Sequence, residues 1–310
     1  MSVCKRPACN AFDEEDRLDR SDGPVDFKPV IVEALRRNGL MLANVTKQLV
    51  VHSHCAGMDA PAFALKLLGV KANLALVTEK DPSTAFFHLL THQSKHLISD
   101  ISFACAPKGP CVKHNGSMCD LPHEAPDIIV GSFVCKPRSK QNPQRHHADP
   151  CKPPGEANDT DTFYHLRATI TKYAPPYFLL ENVDGVNMRR GPEDETSPLQ
   201  YMLDDTKHGL RTIVDDKGKL VYTVEASSAN TGVSVNCPQR RPRTLFFGCK
   251  CTHGRDAKSL VRMFHNLETS CGNKVWPIDA FLTGTKKEMQ DCKSNALGCG
   301  RSGGCRCKRR

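Results

Sequence analysis

Cys135 follows an apolar run, Ile128-Ile129-Val130, that Gly131-Ser132-Phe133 interrupts. Such a run reads as a short buried strand, and a thiol just past its carboxyl end sits where open α/β sheets hold their ligands. A cysteine there can act as a nucleophile, although the same residue type is commonly a small buried hydrophobe. A second strand-like run, residues 177–180, ends in Glu181-Asn182-Val183, which would aim a carboxyl group at the same crevice. A third, residues 244–248, is introduced by Pro238-Gln239-Arg240-Arg241-Pro242-Arg243. Arginines in that position offer fixed donors for phosphate or a pyrimidine carbonyl; a surface turn is the alternative. Lys136 opens a basic loop running to His147, which would either close on a polyanion or serve as a solvated connection.

For these groups to meet, their strands must lie side by side, and the pattern upstream predicts that they do. Residues 48–52 read as a strand, 53–57 as a turn and 58–68 as an amphipathic helix whose first amides Asp59 or Ser53 can satisfy. Strand, small-residue turn and helix start together make a site for a nucleotide-like ligand. The next strand, 74–78, ends in Glu79. A carboxylate about 20 residues beyond such a turn suits ribose hydroxyls, and it also suits the start of a helix at 82–92. A shorter strand ends at Ser99-Asp100-Ile101, and residues 105–126 read as irregular. Further helices are expected at 160–173, stopped by Pro175-Pro176, and at 197–210, ended by Gly209, with strands at 220–225 and 232–235. The alternation predicts an α/β fold built on a doubly wound, mostly parallel sheet, with the 244–248 strand antiparallel at one side.

Three segments follow from composition. Residues 1–45 form an arm and a leading helix at 27–45 that Gly39 ends, 46–250 a core, and 251–310 an irregular, basic, cysteine-rich tail with short ordered pieces at 261–267 and 275–282. There is no internal repeat. The balance of 43 Lys+Arg against 34 Asp+Glu, net +9, favours a polyanionic partner, though surplus lysine on a solvated surface explains it equally. No apolar run approaches the length of a membrane span, and residues 1–20 are charged and lack a signal-peptide core, so no membrane partner and an intracellular, reducing location are expected. Disulfides are accordingly not assumed for the 16 cysteines. Cys105, Cys111 and Cys119 lack a Cys-x-x-Cys clamp, with His114 and His123 scattered among them, so no metal site is assigned.

Taken in order, the turn at 53–58, Glu79, Asp100-Ile101, Gly131-Ser132-Phe133-Val134-Cys135, Glu181-Asn182-Val183 and the 238–243 arginine segment resemble the cytosine-C5 DNA methyltransferases. That family carries a Phe-x-Gly-x-Gly-Gly turn, an acidic ribose ligand, an Asp-Ile, a Gly-Gly-x-Pro-Cys-Gln loop, a Glu-Asn-Val strand end and a Gln-x-Arg-x-Arg segment. The resemblance covers residues from about 47 to 248, and a purely structural cysteine-rich protein would leave it unexplained.

The resemblance implies a Rossmann-like methyltransferase fold and methyl transfer from S-adenosylmethionine to carbon 5 of a flipped cytosine in DNA, in the nucleus if the source is eukaryotic. It implies Cys135 as nucleophile at C6, Glu181 at N3 and the exocyclic amine, Arg243 on the base carbonyl and Arg241 bracing the loop. Both arginines, with Lys136, Arg138 and Gln239, would meet the nucleic acid. The cofactor would fall to Ser53, His54, Cys55, Gly57, Met58, Glu79, Asp100 and Ile101. A tRNA cytosine methyltransferase and an inactive nucleic-acid-binding relative are the alternatives. Three departures carry expectations of their own. Val134-Cys135-Lys136 replaces Pro-Cys-Gln, which would loosen the turn before the thiol, while Lys136 would favour thiolate or grip a phosphate. His52, His54 and Ala56 stand where the family has Phe, Gly and Gly, which would weaken cofactor binding. The target-recognition region and the final Gly-Asn-x-Val helix are expected to be missing or truncated, with Gly272-Asn273-Lys274-Val275 a coincidence of letters.

Overall fold

The computed structural model of the protein describes residues 28–40, 46–136, 139–141, 161–189, 196–230 and 241–271. Expectations for residues 1–27, the 232–235 and 275–282 segments, Arg138, Gln239 and Gly272-Asn273-Lys274-Val275 fall outside them. Among the described residues no helix is long and apolar enough to cross a membrane.

Among the described residues nine strands form one sheet in the order β5-β4-β3-β2-β1-β6-β7-β9-β8. They are β1 Leu49–His54, β2 Ala72–Thr78, β3 Ser94–Ile98, β4 Lys108–Cys111, β5 Ser117–Asp120, β6 Ile128–Ser132, β7 Tyr177–Val183, β8 Tyr222–Asn230 and β9 Pro242–Lys250. The five central strands β3, β2, β1, β6 and β7 are parallel. β9 runs antiparallel between β7 and β8, so the 244–248 run is antiparallel as expected, one strand in from the edge. The chain winds outward in both directions from β1 and β6, which leaves a crevice past their carboxyl ends.

Helices cover both faces because β1, β2 and β6 bury side chains on both. Helices α2 Ala60–Leu67 and α3 Pro82–Thr91 contribute Ala62 and Ala85 to a cluster with Val51, Leu74, Val77, Leu97 and Val130. Each starts with a proline in its first turn and an aspartate cap: Asp59 accepts from the Ala62 amide and Asp81 from the Thr84 amide. Opposite them, α4 Asp161–Tyr173 and α5 Pro198–Asp204 pack Phe163, Leu166, Ile170 and Met202 against Ile129, Phe178, Leu180 and Phe246. Helix α6 Ala257–Ser270 lies on the β8–β9 end, with Phe264 against Phe247 at 5.6 Å, and holds α1 Lys28–Arg37 through a 2.8 Å bond from Asn38 Nδ2 to Ser270 Oγ.

Several boundaries differ from the sequence reading for local reasons. α1 ends at Arg37, two residues before Gly39, the end signal read from sequence, which takes a left-handed φ of +70°. The helix expected at 197–210 shortens to α5, followed by a 3-10 turn at Leu210–Thr212. Part of the 105–126 stretch forms the β4–β5 hairpin, which its short length and Gly109-Pro110 conceal. Gly248 has no room for a side chain, since a Cβ would come within 2.0 Å of the Phe178 ring from β7.

One feature of this core is chemically unusual: His52, His54 and His88 are fully buried. His52 lies edge-on to Tyr173 at 4.7 Å, and His54 Nδ1 is 3.3 Å from Thr78 Oγ1. His88 Nδ1 sits 3.7 Å from buried Asp59 Oδ2. Burial pushes the pKa values down, to about 4 for His52 with Lys172 adding to the effect, and to about 3 for His54 with His52 adding. For His88 burial and then His92 lower it to about 4.

Two outcomes follow. Gly248→Ala should lower stability by about 1–3 kcal/mol, read as a drop in the urea midpoint at constant slope, and an unchanged midpoint would contradict the contact with Phe178. Acidification should destabilise the fold. Below the ordinary histidine pKa the unfolded chain takes up protons that the folded chain refuses, so stability is lost as pH falls from about 6.5 towards about 4. Asp59, whose carboxyl burial pushes up, works in the opposite sense, one group against three histidines. A urea midpoint at pH 5.5 equal to or above that at pH 7.5 would contradict this account.

Candidate active site

The register of three strands sets the site. Ser132 on β6 pairs with Glu181 on β7, and Val183 on β7 pairs with Arg243 at the start of β9. Glu181 and Arg243 therefore occupy diagonal positions on one face of the sheet, and Arg243 Nε meets Glu181 Oε1 at 2.5 Å. Cys135 comes three residues after Ser132 and is exposed, so it does not have the buried-hydrophobe role open to it from sequence. Thiol, carboxyl and guanidinium thus come from one end of the sheet. Arg241 is exposed just outside β9, its backbone N–H donating to Asn230 Oδ1 at 3.2 Å. Lys136 is exposed beside the thiol.

Two side chains that sequence reasoning did not assign hold the thiol loop. Asn182, buried in β7, donates from Nδ2 to the Phe133 carbonyl at 2.8 Å. Thr162 in the first turn of α4 accepts at Oγ1 from the Val134 N–H at 3.0 Å. A proline in place of Val134 would have no N–H to give, so this bond substitutes for the ring constraint that Val134 lacks. The sequence signal for Asn182 is its place next to Glu181, which strand alternation turns to the buried face. Beyond the thiol, Lys140 pairs with Asp184 at 2.7 Å, which fastens the basic loop to the end of β7.

Beside the loop lies a cavity of about 320 Å³ lined by Cys55, Thr78, Glu79, Lys80, Asp100, Ile101, Ser102, Val134, Thr162 and His165. It opens where β1, β2, β3 and β6 end. Four residues assigned from sequence line it: Cys55, Glu79, Asp100 and Ile101. Ser53 and His54 do not. Both are buried, Ser53 donating to Asp59 Oδ1 at 3.1 Å and His54 lying against Thr78. Met58 is exposed and Gly57 gives its N–H to Glu79 Oε2 at 2.7 Å. Glu79 Oε1 also accepts from the Asp81 amide at 2.8 Å, which places this carboxylate at the start of α3. The turn needs left-handed backbone at Cys55 and Gly57, with φ of 49° and 57°, rather than at His54 and Ala56.

Electrostatics divide the cavity's groups. Burial, then Glu79 and Asp100, push the Cys55 thiol up to about 12, so it is an inert neutral group at neutral pH. Burial opposes the Asp100 carboxylate, but bonds from the Ser102 backbone and side chain, with Lys80 3.6 Å away, prevail and hold its pKa below the usual range.

Removal of either loop anchor should be measurable. Asn182→Ala leaves the Phe133 carbonyl without this partner and should cost about 1–3 kcal/mol. Thr162→Val keeps shape but loses the acceptor for Val134 and should cost about 1 kcal/mol, with faster hydrogen exchange at Val134. Exchange at Val134 equal to that of the parent would exclude Thr162 as the anchor.

In the solved structures, the chain resembles the Dnmt2 methyltransferase of S. pombe at 14% identity, with 66% of this chain and 50% of that one covered and a TM-score of 0.39. It also resembles a DNA modification methyltransferase encoded within an E. coli prophage, at 17% identity, 69% and 48% coverage and a TM-score of 0.41. A mutant of Spodoptera frugiperda DNMT2 gives 14% identity, 67% and 51% coverage and a TM-score of 0.41. The chain spans about half the length of these structures. No curated protein matches it. The model of the C-5 cytosine-specific DNA methylases matches residues 51–296, from the first buried strand past the arginine strand, and the chain belongs to that family.

Proposed function

We propose that this chain transfers a methyl group from S-adenosylmethionine to carbon 5 of cytosine in DNA, by way of a covalent bond between Cys135 and carbon 6. The observation that carries the reading is the Glu181–Arg243 ion pair at the sheet end from which exposed Cys135 emerges. A carboxyl held at one oxygen by a guanidinium has its other oxygen for the base.

The cavity fits the cofactor's chemistry. Glu79 and Asp100 supply acceptors for ribose hydroxyls and an adenine amine, and Ile101 and Val134 supply apolar surface. Its volume of about 320 Å³ lies at the low end of the range of about 300–1,000 Å³ common for small-molecule sites. Bound there, S-adenosylmethionine supplies an activated methyl. The residues of the chain do the rest. Cytosine leaves the stack because neither C5 nor C6 is accessible within a duplex. The Cys135 thiolate adds to C6, and the displaced electron pair makes C5 nucleophilic while charge on the ring is met at N3 and the amine by Glu181. Arg243 braces Glu181 and donates to the base carbonyl, and Arg241 and Lys136 meet phosphate. After methylation, loss of the C5 proton to a base and expulsion of the Cys135 thiolate from C6 restore the aromatic ring.

The test is trapping on a duplex containing 5-fluorocytosine, where fluorine at C5 cannot leave as a proton does and the adduct persists. The parent with S-adenosylmethionine should form a denaturant-stable complex, and Cys135→Ser should form none. Glu181→Gln should slow methyl transfer by about 10²–10⁴-fold while leaving salt-sensitive DNA binding in place. Folded parent protein that binds DNA without forming an adduct would replace this reading with that of an inactive binding relative. Adduct formed on tRNA in place of DNA would reassign the substrate.

A further inference from the structure

At the far edge of the sheet from β8, three residues from three strands converge. His96 on β3, Cys111 at the end of β4 and Cys119 on β5 place their candidate ligand atoms within 4.8 Å of one another. We propose that they hold a single structural Zn²⁺, with His114 as fourth ligand.

The register explains the convergence. Ile98 pairs with Cys111, so His96, two residues back on β3, lies on the same face as Cys111. Gly109 pairs with Cys119 and Cys111 with Ser117, so the two cysteines are diagonal neighbours on that face of the hairpin. Both carry free thiols. His96 Nδ1 is buried and has no hydrogen-bond partner, a cost that a metal bond would remove. His114 extends the set, with Nδ1 3.0 Å from Cys119 Sγ in the 3-10 turn that joins β4 to β5.

The donor set selects the ion. Two thiolates and two imidazoles favour a borderline-soft, tetrahedral divalent cation and neutralise its charge. Bond lengths of about 2.3 Å to sulfur and 2.0–2.1 Å to nitrogen put tetrahedral ligand atoms about 3.3–3.8 Å apart, so the His96, Cys111 and Cys119 atoms need only a small contraction, while His114 swings in from beside Cys119. All four positions being filled by protein, the site is structural. It also lies where a crosslink matters: β4 and β5 have four residues each, and such a hairpin is marginal by itself. Sequence spacing conceals the site, because a Cys-x-x-His and a later cysteine are completed by a histidine from a neighbouring strand. The expectation of no metal site rested on the missing Cys-x-x-Cys clamp.

The test is elemental analysis of the full chain purified under reducing conditions without chelator, together with its cobalt-substituted form. Cys119→Ser and Cys111→Ser should each contain one equivalent of zinc less than the parent, which discounts any zinc held by other cysteines. Cobalt should give a thiolate charge-transfer band in the parent that Cys119→Ser weakens. His114→Ala, at an exposed position, should keep the fold and bind zinc at least about tenfold more weakly. Chelation of the parent should lower its melting temperature, and chelation of Cys119→Ser should lower it less. Equal zinc content in parent and both cysteine variants, a Cys111–Cys119 disulfide in the purified protein, or unchanged zinc affinity in His114→Ala would each overturn the four-ligand assignment. Should Cys111→Ser fail to fold, Cys119→Ser and His114→Ala decide the matter.

Discussion

The pairing of β6 with β7 is the constraint on which the rest of the molecule depends. Ser132 faces Glu181 there, and Cys135 and Arg243 are placed relative to that pair. A parallel strand buried on both faces has no polar side to correct a slip, so its register must be fixed by packing. Gly131 contributes, because a Cβ would lie 2.9 Å from Leu166 Cδ2 and 3.1 Å from the His54 carbonyl oxygen. A shift of β7 by one residue would turn Glu181 to the opposite face from Arg243 and bury a carboxyl against Leu166 and Ile170. The position of the thiol and the specificity of the core are one property of this sheet.

The central strands and their helices were legible because each is an apolar run with a terminator. Residues 128–130, 177–180 and 244–248 become β6, β7 and β9, and Asp59 and Asp81 cap α2 and α3. The site was legible as residue types at strand ends, which a linear pattern can carry. What it could not carry is side-chain direction. Ser53 and His54 belong to the turn by sequence, yet they lie on β1 before it and point into the interior. Asn182 looked like a spacer within Glu-Asn-Val, and alternation along β7 buries it where it reaches Phe133. The β4–β5 hairpin was unreadable for a related reason: four-residue strands containing Gly109 and Pro110 give no period to detect.

The histidines around β1 follow the same logic. Where glycine would let a ligand approach the backbone, this chain places His54, but the side chain fills space between β1 and β2 and leaves the backbone of the turn free to bend at Cys55 and Gly57. The turn's amides are tied down: Cys55 N–H to Thr78 Oγ1 and Ala56 N–H to the Thr78 carbonyl. A cavity wall built this way is preorganised by hydrogen bonds from β2, with imidazole as packing material.

The bond between Val134 and Thr162 has a further consequence. A pyrrolidine ring restricts the chain at every temperature, whereas a hydrogen bond opens and closes with an equilibrium constant of its own. By trading one for the other, this protein fastens the Cys135 loop to α4 with a latch whose closure depends on temperature, where a ring would hold it at every temperature alike.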